Sequence, residues 1–218
     1  MSIQRKRKRY RLRKQVKLIL TIVLSLVMVL MGIFVILHLD TKTYATVGIQ
    51  LEAVDEIPVL TQYIPEGRQN RPGILRDIRW IVIHETDNFA ASADAQHHSD
   101  YLATNETDVN SWHYTVGEDV IIHQLPDEEV GWHAGDQTTE HGGNMAGVGI
   151  EMCVNAGSDF EKTVDNTARL AAVLLKAYDL DIDSLKRHHD FSGKNCPAHY
   201  YKEEDWQQFV ELVKSYMK

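Results

Sequence analysis

Near its C-terminal end the chain reads HHDFSGKNCP, His188 to Pro197, which sets two histidines seven and eight residues ahead of a cysteine. Imidazole nitrogen and thiolate sulfur are donors that zinc accepts in tetrahedral geometry, and a catalytic zinc keeps three protein ligands and an open fourth position. His84 closes the run Trp80-Ile81-Val82-Ile83 and adds an imidazole, so His84, one of His188 and His189, and Cys196 make a candidate Zn2+ set. The same residues carry two other readings. Cys153 and Cys196 are the only cysteines, and in an oxidising compartment they would pair as a disulfide. Either thiol beside a histidine would also make a nucleophile, although nothing around them resembles a nucleophile elbow.

Positioning such a set requires strands that end at the site. The β-branched run 80–83 predicts a buried strand that delivers His84 at its C-terminal edge. The stretch WHYTVGEDVIIHQLP predicts a hairpin turning at 117–119, and 148–154 a further strand. Residues 92–104 read as a helix. Val164, Ala168, Ala171, Leu174, Leu175 and Tyr178 share one helical face, as do Trp206, Phe209, Val210, Val213 and Tyr216. Strands interleaved with helices predict an α/β domain with a single mixed β-sheet flanked by helices. If 185–190 is extended, His188 and His189 face opposite ways and only one reaches a metal.

The head of the chain differs from this domain. Nine of the 23 Lys and Arg fall in residues 1–17, ahead of LILTIVLSLVMVLMGIFVIL at 18–37, which has no charge. At about 1.5 Å per residue that run reaches about 30 Å, the thickness of a bilayer's hydrocarbon core. The expectation is a basic cytoplasmic head (1–17), an N-terminal transmembrane helix (18–37), a linker (38–56) and a domain (57–218) outside the membrane. A cleaved signal peptide and secretion are the alternative, disfavoured because the run exceeds the usual apolar core of about 7–15 residues. Residues 38–218 keep 14 basic against 31 acidic side chains, a net charge of about −17, which excludes nucleic acid as a natural partner.

Five blocks in order, IVIHET (81–86), SWHYTV (111–116), QLPDEEVGWHAGD (124–136), GVGIEMCVN (147–155) and HHDFSGKNCP, resemble the zinc-dependent N-acetylmuramoyl-L-alanine amidases shared by phage lysins and peptidoglycan recognition proteins. The likeness covers 57–218. It implies Zn2+ on His84, His188 and Cys196, selecting His188 over His189 by its eight-residue spacing from the cysteine. It implies Glu151 as general base and Lys194 as a cation near the scissile carbonyl. It also implies that His113 and His133 line a substrate groove beside Trp112 and Trp132, with His133 a further candidate for holding the oxyanion. Core packing is an equal alternative for both tryptophans. Where some relatives place a catalytic tyrosine before the equivalent of His113, this chain has Trp112, which leaves the base role to Glu151.

The implied reaction is hydrolysis of the amide joining the lactyl group of N-acetylmuramic acid to L-alanine, with peptidoglycan as partner. A non-catalytic recognition module is the rival; such modules typically lack the cysteine. Asp190 is expected to orient His188. His97, His98, His141 and His199 are expected to face solvent, and His123 to face outward from its hairpin.

Overall fold

A computed structural model describes residues 3–37 and 43–218; Met1 and Ser2 of the basic head and residues 38–42 of the expected linker lie outside the described residues. The chain divides into two compact units, residues 1–43 and 44–218. The first contains helix α1 (Ile3–Leu37). Within it Arg13–Met31, 19 residues of mean hydropathy 2.0 with no buried share, is long and apolar enough to cross a membrane.

The second unit is built on seven strands: β1 (Ala53–Val54), β2 (Ile57–Thr61), β3 (Trp80–Glu85), β4 (Tyr114–Val116), β5 (Ile121–His123), β6 (Gly147–Met152) and β7 (Leu185–Arg187). They form one mixed sheet in the order β1-β2-β5-β4-β6-β3-β7. β3 runs parallel to β6 and β7, β6 parallel to β4, and β4 antiparallel to β5 in the expected hairpin. Helices α2 (Ala95–Thr104), α3 (Gly143–Ala146), α4 (Phe160–Ala177), α5 (His188–Ser192) and α6 (Glu203–Tyr216) complete it. The expected α/β architecture is therefore the observed one.

Strand alternation divides the labour of the sheet. Ile81, Ile83, Tyr114, Val116, Val148, Ile150 and Met152 join the main core, which also takes the apolar stripes of α4 and α6. The intervening positions, His84 on β3 and Gly147, Gly149 and Glu151 on β6, lie on the opposite face. Local signals start the helices where the sequence places them: the Asp94 and Asp159 side chains accept from the backbone N–H of His97 and Lys162, capping α2 and α4. Glu203, Glu204 and Asp205 sit in the first turn of α6, against its positive dipole end.

Three expectations are corrected by this packing. Residues 44–56, read as linker, belong to the domain: Ala45 bridges Ile78, and Tyr44, Ile49 and Leu51 pack on the main core. Their spaced apolar residues are too few to show periodicity, yet each finds a place on the core edge. His123 is fully buried and stacks on Tyr114 at 4.2 Å, because the hairpin's outer face is covered by Tyr63. His98 is buried against Trp112, and burial lowers its pKa to about 4.

The attachment of 44–56 turns on one hydroxyl. Tyr178 accepts from the backbone N–H of Ile49 at 3.0 Å and donates to the buried Asp127 carboxylate, which also takes the Tyr114 hydroxyl at 3.0 Å. Tyr178→Phe removes a donor from a buried carboxylate and is expected to cost about 1–3 kcal/mol in chemical denaturation. Amide exchange across residues 45–51 should accelerate. Unchanged protection there would show that this segment is held by other contacts.

Candidate metal centre and its cleft

Parallel register between β3 and β6 sets His84 beside Glu151 on one face. β7 stops at Arg187, and α5 begins at His188, so the chain turns into a helix where the sequence suggested continued extension. On that turn His188 points into the domain, while His189 points away, its ring against Tyr201 and its Nδ1 beside the Lys194 carbonyl. His188 is thus the inward-facing member of the pair, and helix geometry rather than strand alternation makes it so.

His84, His188 and Cys196 are buried, and their ligand atoms all lie within 4.8 Å of one another. Nδ1 of His84 is 3.0 Å from Nδ1 of His188 and 3.9 Å from Sγ of Cys196. Glu151 Oε1 lies 3.9 Å from the same His84 nitrogen, and its Oε2 is buried with no hydrogen-bond partner among the described residues. Both cysteines are free, so no disulfide competes for Cys196. Two imidazoles and a sulfur converging beside an orphaned carboxyl oxygen fit a tetrahedral zinc with its fourth position open.

The protons on this cluster follow from its neighbours. His133 Nε2 faces the Gly147 carbonyl at 3.2 Å, and a carbonyl only accepts, so that nitrogen carries the proton. His133 Nδ1 must then accept from His84 Nε2 at 3.0 Å. His84 is left with a bare lone pair at Nδ1, facing His188 and Cys196. Burial holds both rings neutral: it lowers His133 to about 3 and His84 well below the usual range, helped by the neighbouring imidazoles. Arg76 donates to the same Gly147 carbonyl at 2.8 Å.

The strand sequence G-V-G-I-E makes room for this relay. A Cβ at Gly149 would meet the His133 ring at 2.8 Å, and one at Gly147 would meet the Gly143 carbonyl at 2.6 Å. Asn144 fixes the other end, its Oδ1 accepting from the backbone N–H of His133 at 2.8 Å and of Ala134 at 2.7 Å. Asp136 in turn accepts from the N–H groups of Gly143 and Asn144. Sequence reading did not single out Gly149, Asn144 or Asp136; the alternating glycines in β6 were the available signal.

A cleft of about 380 Å³ opens over the centre, lined among others by Val109, Trp112, Trp132, His133, Glu151, His188 and Lys194. Trp112 and Trp132 both reach it, and Trp112 also donates to Thr115 at 2.7 Å. His113 does not line it. That ring is fully buried beneath the cleft, accepting from Gly149 N–H at 3.0 Å and facing the Glu129 carbonyl at 2.9 Å, which ties β6 to the 126–130 turn. His133, committed at both nitrogens, has no proton free for an oxyanion. Asp190 does not reach His188; it is held by the Arg187 guanidinium at 2.9 Å and the Arg187 N–H at 2.8 Å.

Burial also sets the acids. Desolvation raises Glu151 to about 8 against the opposing pull of Lys194, and raises Cys153 and Cys196 to about 12. Raised thiols are the opposite of an activated cysteine nucleophile, which counts against the cysteine-hydrolase reading.

Residues 75–199 match the N-acetylmuramoyl-L-alanine amidase family. The chain is 36% identical over 159 residues to N-acetylmuramoyl-L-alanine amidase CwlH of Bacillus subtilis (strain 168), covering 73% of this chain and 62% of that protein. It is 37% identical over 153 residues to N-acetylmuramoyl-L-alanine amidase XlyA of the same organism, covering 70% and 50%. It thus spans about half to three-fifths of the length of these curated relatives. Among solved structures, the catalytic domain of XlyA superposes with a TM-score of 0.68 at 36% identity, covering 72% of this chain and 99% of that one. PlyL gives 0.65 at 25% identity, covering 73% and 99%.

Because a thiol raised to about 12 and a carboxyl raised to about 8 are both protonated at pH 7 in the metal-free fold, zinc binding should release protons. Calorimetry in buffers of different ionisation enthalpy should give roughly one to two protons per zinc, and Cys196→Ser should lower that by about one. Affinity should rise with pH by about tenfold per unit for each proton released. An affinity independent of pH between about 6 and 8 would contradict these protonation states.

Proposed function

The chain belongs to the N-acetylmuramoyl-L-alanine amidase family, and on that premise we propose that it is a zinc enzyme that hydrolyses the amide between the lactyl group of N-acetylmuramic acid and L-alanine in peptidoglycan. The observation that carries this reading is the orphaned Oε2 of Glu151, buried in the cleft beside the converging atoms of His84, His188 and Cys196. A module that only recognises peptidoglycan has no use for an unpartnered carboxyl group there, and burying one costs about 1–3 kcal/mol.

His84, His188 and Cys196 would hold the ion; when bound, zinc supplies Lewis acidity toward the scissile carbonyl and lowers the pKa of water to about 7. Glu151 takes a proton from the attacking water at Oε2 and returns it to the departing nitrogen of alanine. Its raised pKa, about 8 before any cation is present, suits a group that must both accept and give a proton near neutrality. Water adds to the carbonyl carbon and the C–N bond breaks, leaving a lactyl carboxylate and a free alanine amine. Lys194, exposed at the cleft wall, supplies positive charge for the carbonyl oxygen as it becomes anionic. Val109, Trp112 and Trp132 give an apolar wall on which a sugar ring and the first peptide residues can stack.

The apolar helix segment supports a membrane-anchored enzyme, with residues 1–17 cytoplasmic and the domain outside, facing the wall. Anchoring would confine cleavage to nearby peptidoglycan during remodelling or lysis.

Purified protein incubated with peptidoglycan should release N-terminal alanine and muramic lactyl carboxylates, detected by amine labelling and mass spectrometry, and a chelator should stop it. Glu151→Gln should lower kcat by about 100- to 10,000-fold while zinc content stays at the wild-type level. Products cut at any other amide, or undiminished turnover after metal removal, would sink this reading.

A further inference from the structure

Cys196 is the one proposed ligand carried by a loop, since His84 ends a strand and His188 starts a helix. Residues 192–195 before it are exposed, so the sulfur's position has to be fixed from elsewhere. One anchor is the His189 N–H, which donates to the Cys196 carbonyl at 3.0 Å. The others converge on Glu85, the residue after His84. Its backbone N–H points at Cys196 Sγ at 3.5 Å. Its carboxylate, 4% exposed, accepts from the His199 backbone N–H at 3.0 Å and faces the His199 Nδ1 at 2.9 Å. The His199 ring rests on Phe160, the first residue of α4, at 4.6 Å. Glu85 thus grips the sulfur with its main chain and the loop three residues later with its side chain.

That arrangement carries an electrostatic penalty. A buried carboxylate beside a sulfur that must become a thiolate, and beside Glu151, disfavours both anions unless it is offset. His199 is the group that pairs with it. This is also where the expectation of a solvent-facing His199 fails: the ring is half exposed, yet its Nδ1 is committed to Glu85.

We propose that Glu85 and His199 are positioning residues that latch the Cys196 loop onto β3 and hold the sulfur in the ligand set. The inference rests on the zinc reading above. Neither residue touches substrate. Their effect should be on how tightly and how slowly the metal is held.

The test uses the full chain in detergent and reads zinc affinity and release by competition with a chromophoric chelator, together with the sulfur-to-metal absorption of the cobalt(II) form. Glu85→Gln and His199→Ala should each weaken zinc binding by about 10- to 100-fold and diminish the cobalt–sulfur band. The double variant should be no worse than either single one, because both break one contact. His199→Asn, whose amide can replace the Nδ1 donor, should restore affinity to within about threefold of wild type. Should Glu85→Gln fail to fold, the His199 pair alone decides, since that side chain is 51% exposed. Affinity within about twofold of wild type in His199→Ala, or additive losses in the double variant, would overturn the latch. If wild-type protein binds no zinc, the ligand-set reading itself falls and takes the latch with it.

Discussion

The lone pair on His84 Nδ1 faces the site because a carbonyl that cannot donate stands at the far end of a line of two histidines. The Gly147 oxygen fixes the proton on His133 Nε2, which makes His133 Nδ1 an acceptor, which fixes the proton on His84 Nε2. Each link needs the one before it. The line fits only where β6 has no side chain under the His133 ring, and it stays in place because Asn144 pins the His133 main chain from above. The parallel pairing of β3 with β6 then delivers Glu151 to the same place, one strand over from His84. Sheet register, two glycines and one asparagine are therefore part of the chemistry as much as the ligands are.

The site is kept uncharged by burial. His84, His113, His133 and His188 are all shifted toward the neutral imidazole, and Glu151 and both thiols toward their protonated forms, with desolvation the leading cause in each case. A neutral pocket folds without the cost of isolated ions in a low-dielectric interior. A dication entering it meets unprotonated imidazole lone pairs directly and must displace protons only from the acids. The domain's surplus of acidic side chains lies elsewhere, and the described cleft wall carries a lysine.

Much of this was legible in the residues, and the limits of that reading are physical. Periodicity located α4, α6 and the β3 run because burial on one face imposes spacing, and caps at Asp94 and Asp159 fixed where helices begin. The converging set of His84, His188 and Cys196 followed from residue types and a resemblance, and the structure brings all three together. What escaped were contacts between residues distant in sequence. His113 and His133 stand in similar aromatic surroundings, yet one is a rivet beneath the sheet and the other a link to His84, a difference set by which carbonyl each ring meets. Residues 44–56 have no pattern of their own because they complete a core edge made by others. Asp190 is close in sequence to His188 but is held by Arg187 on the other side of the turn.

The sheet's two faces explain how the fold tolerates such a site. The α4 and α6 face holds the main apolar cluster, where Ile81, Ile83, Val148 and Ile150 pack on Leu174, Phe209 and Val213. Burial of each such side chain is worth about 1.5–3 kcal/mol before the opposing loss of conformational entropy. The opposite face carries small or polar groups at the matching strand positions and leaves a cleft and an orphaned carboxyl oxygen that together weaken it. Because alternate residues of the same strands serve the two faces, a change that strengthens packing under α4 and α6 need not disturb His84 or Glu151. A substitution on the cleft face has no such freedom, since its neighbours are already committed in both directions along the histidine line.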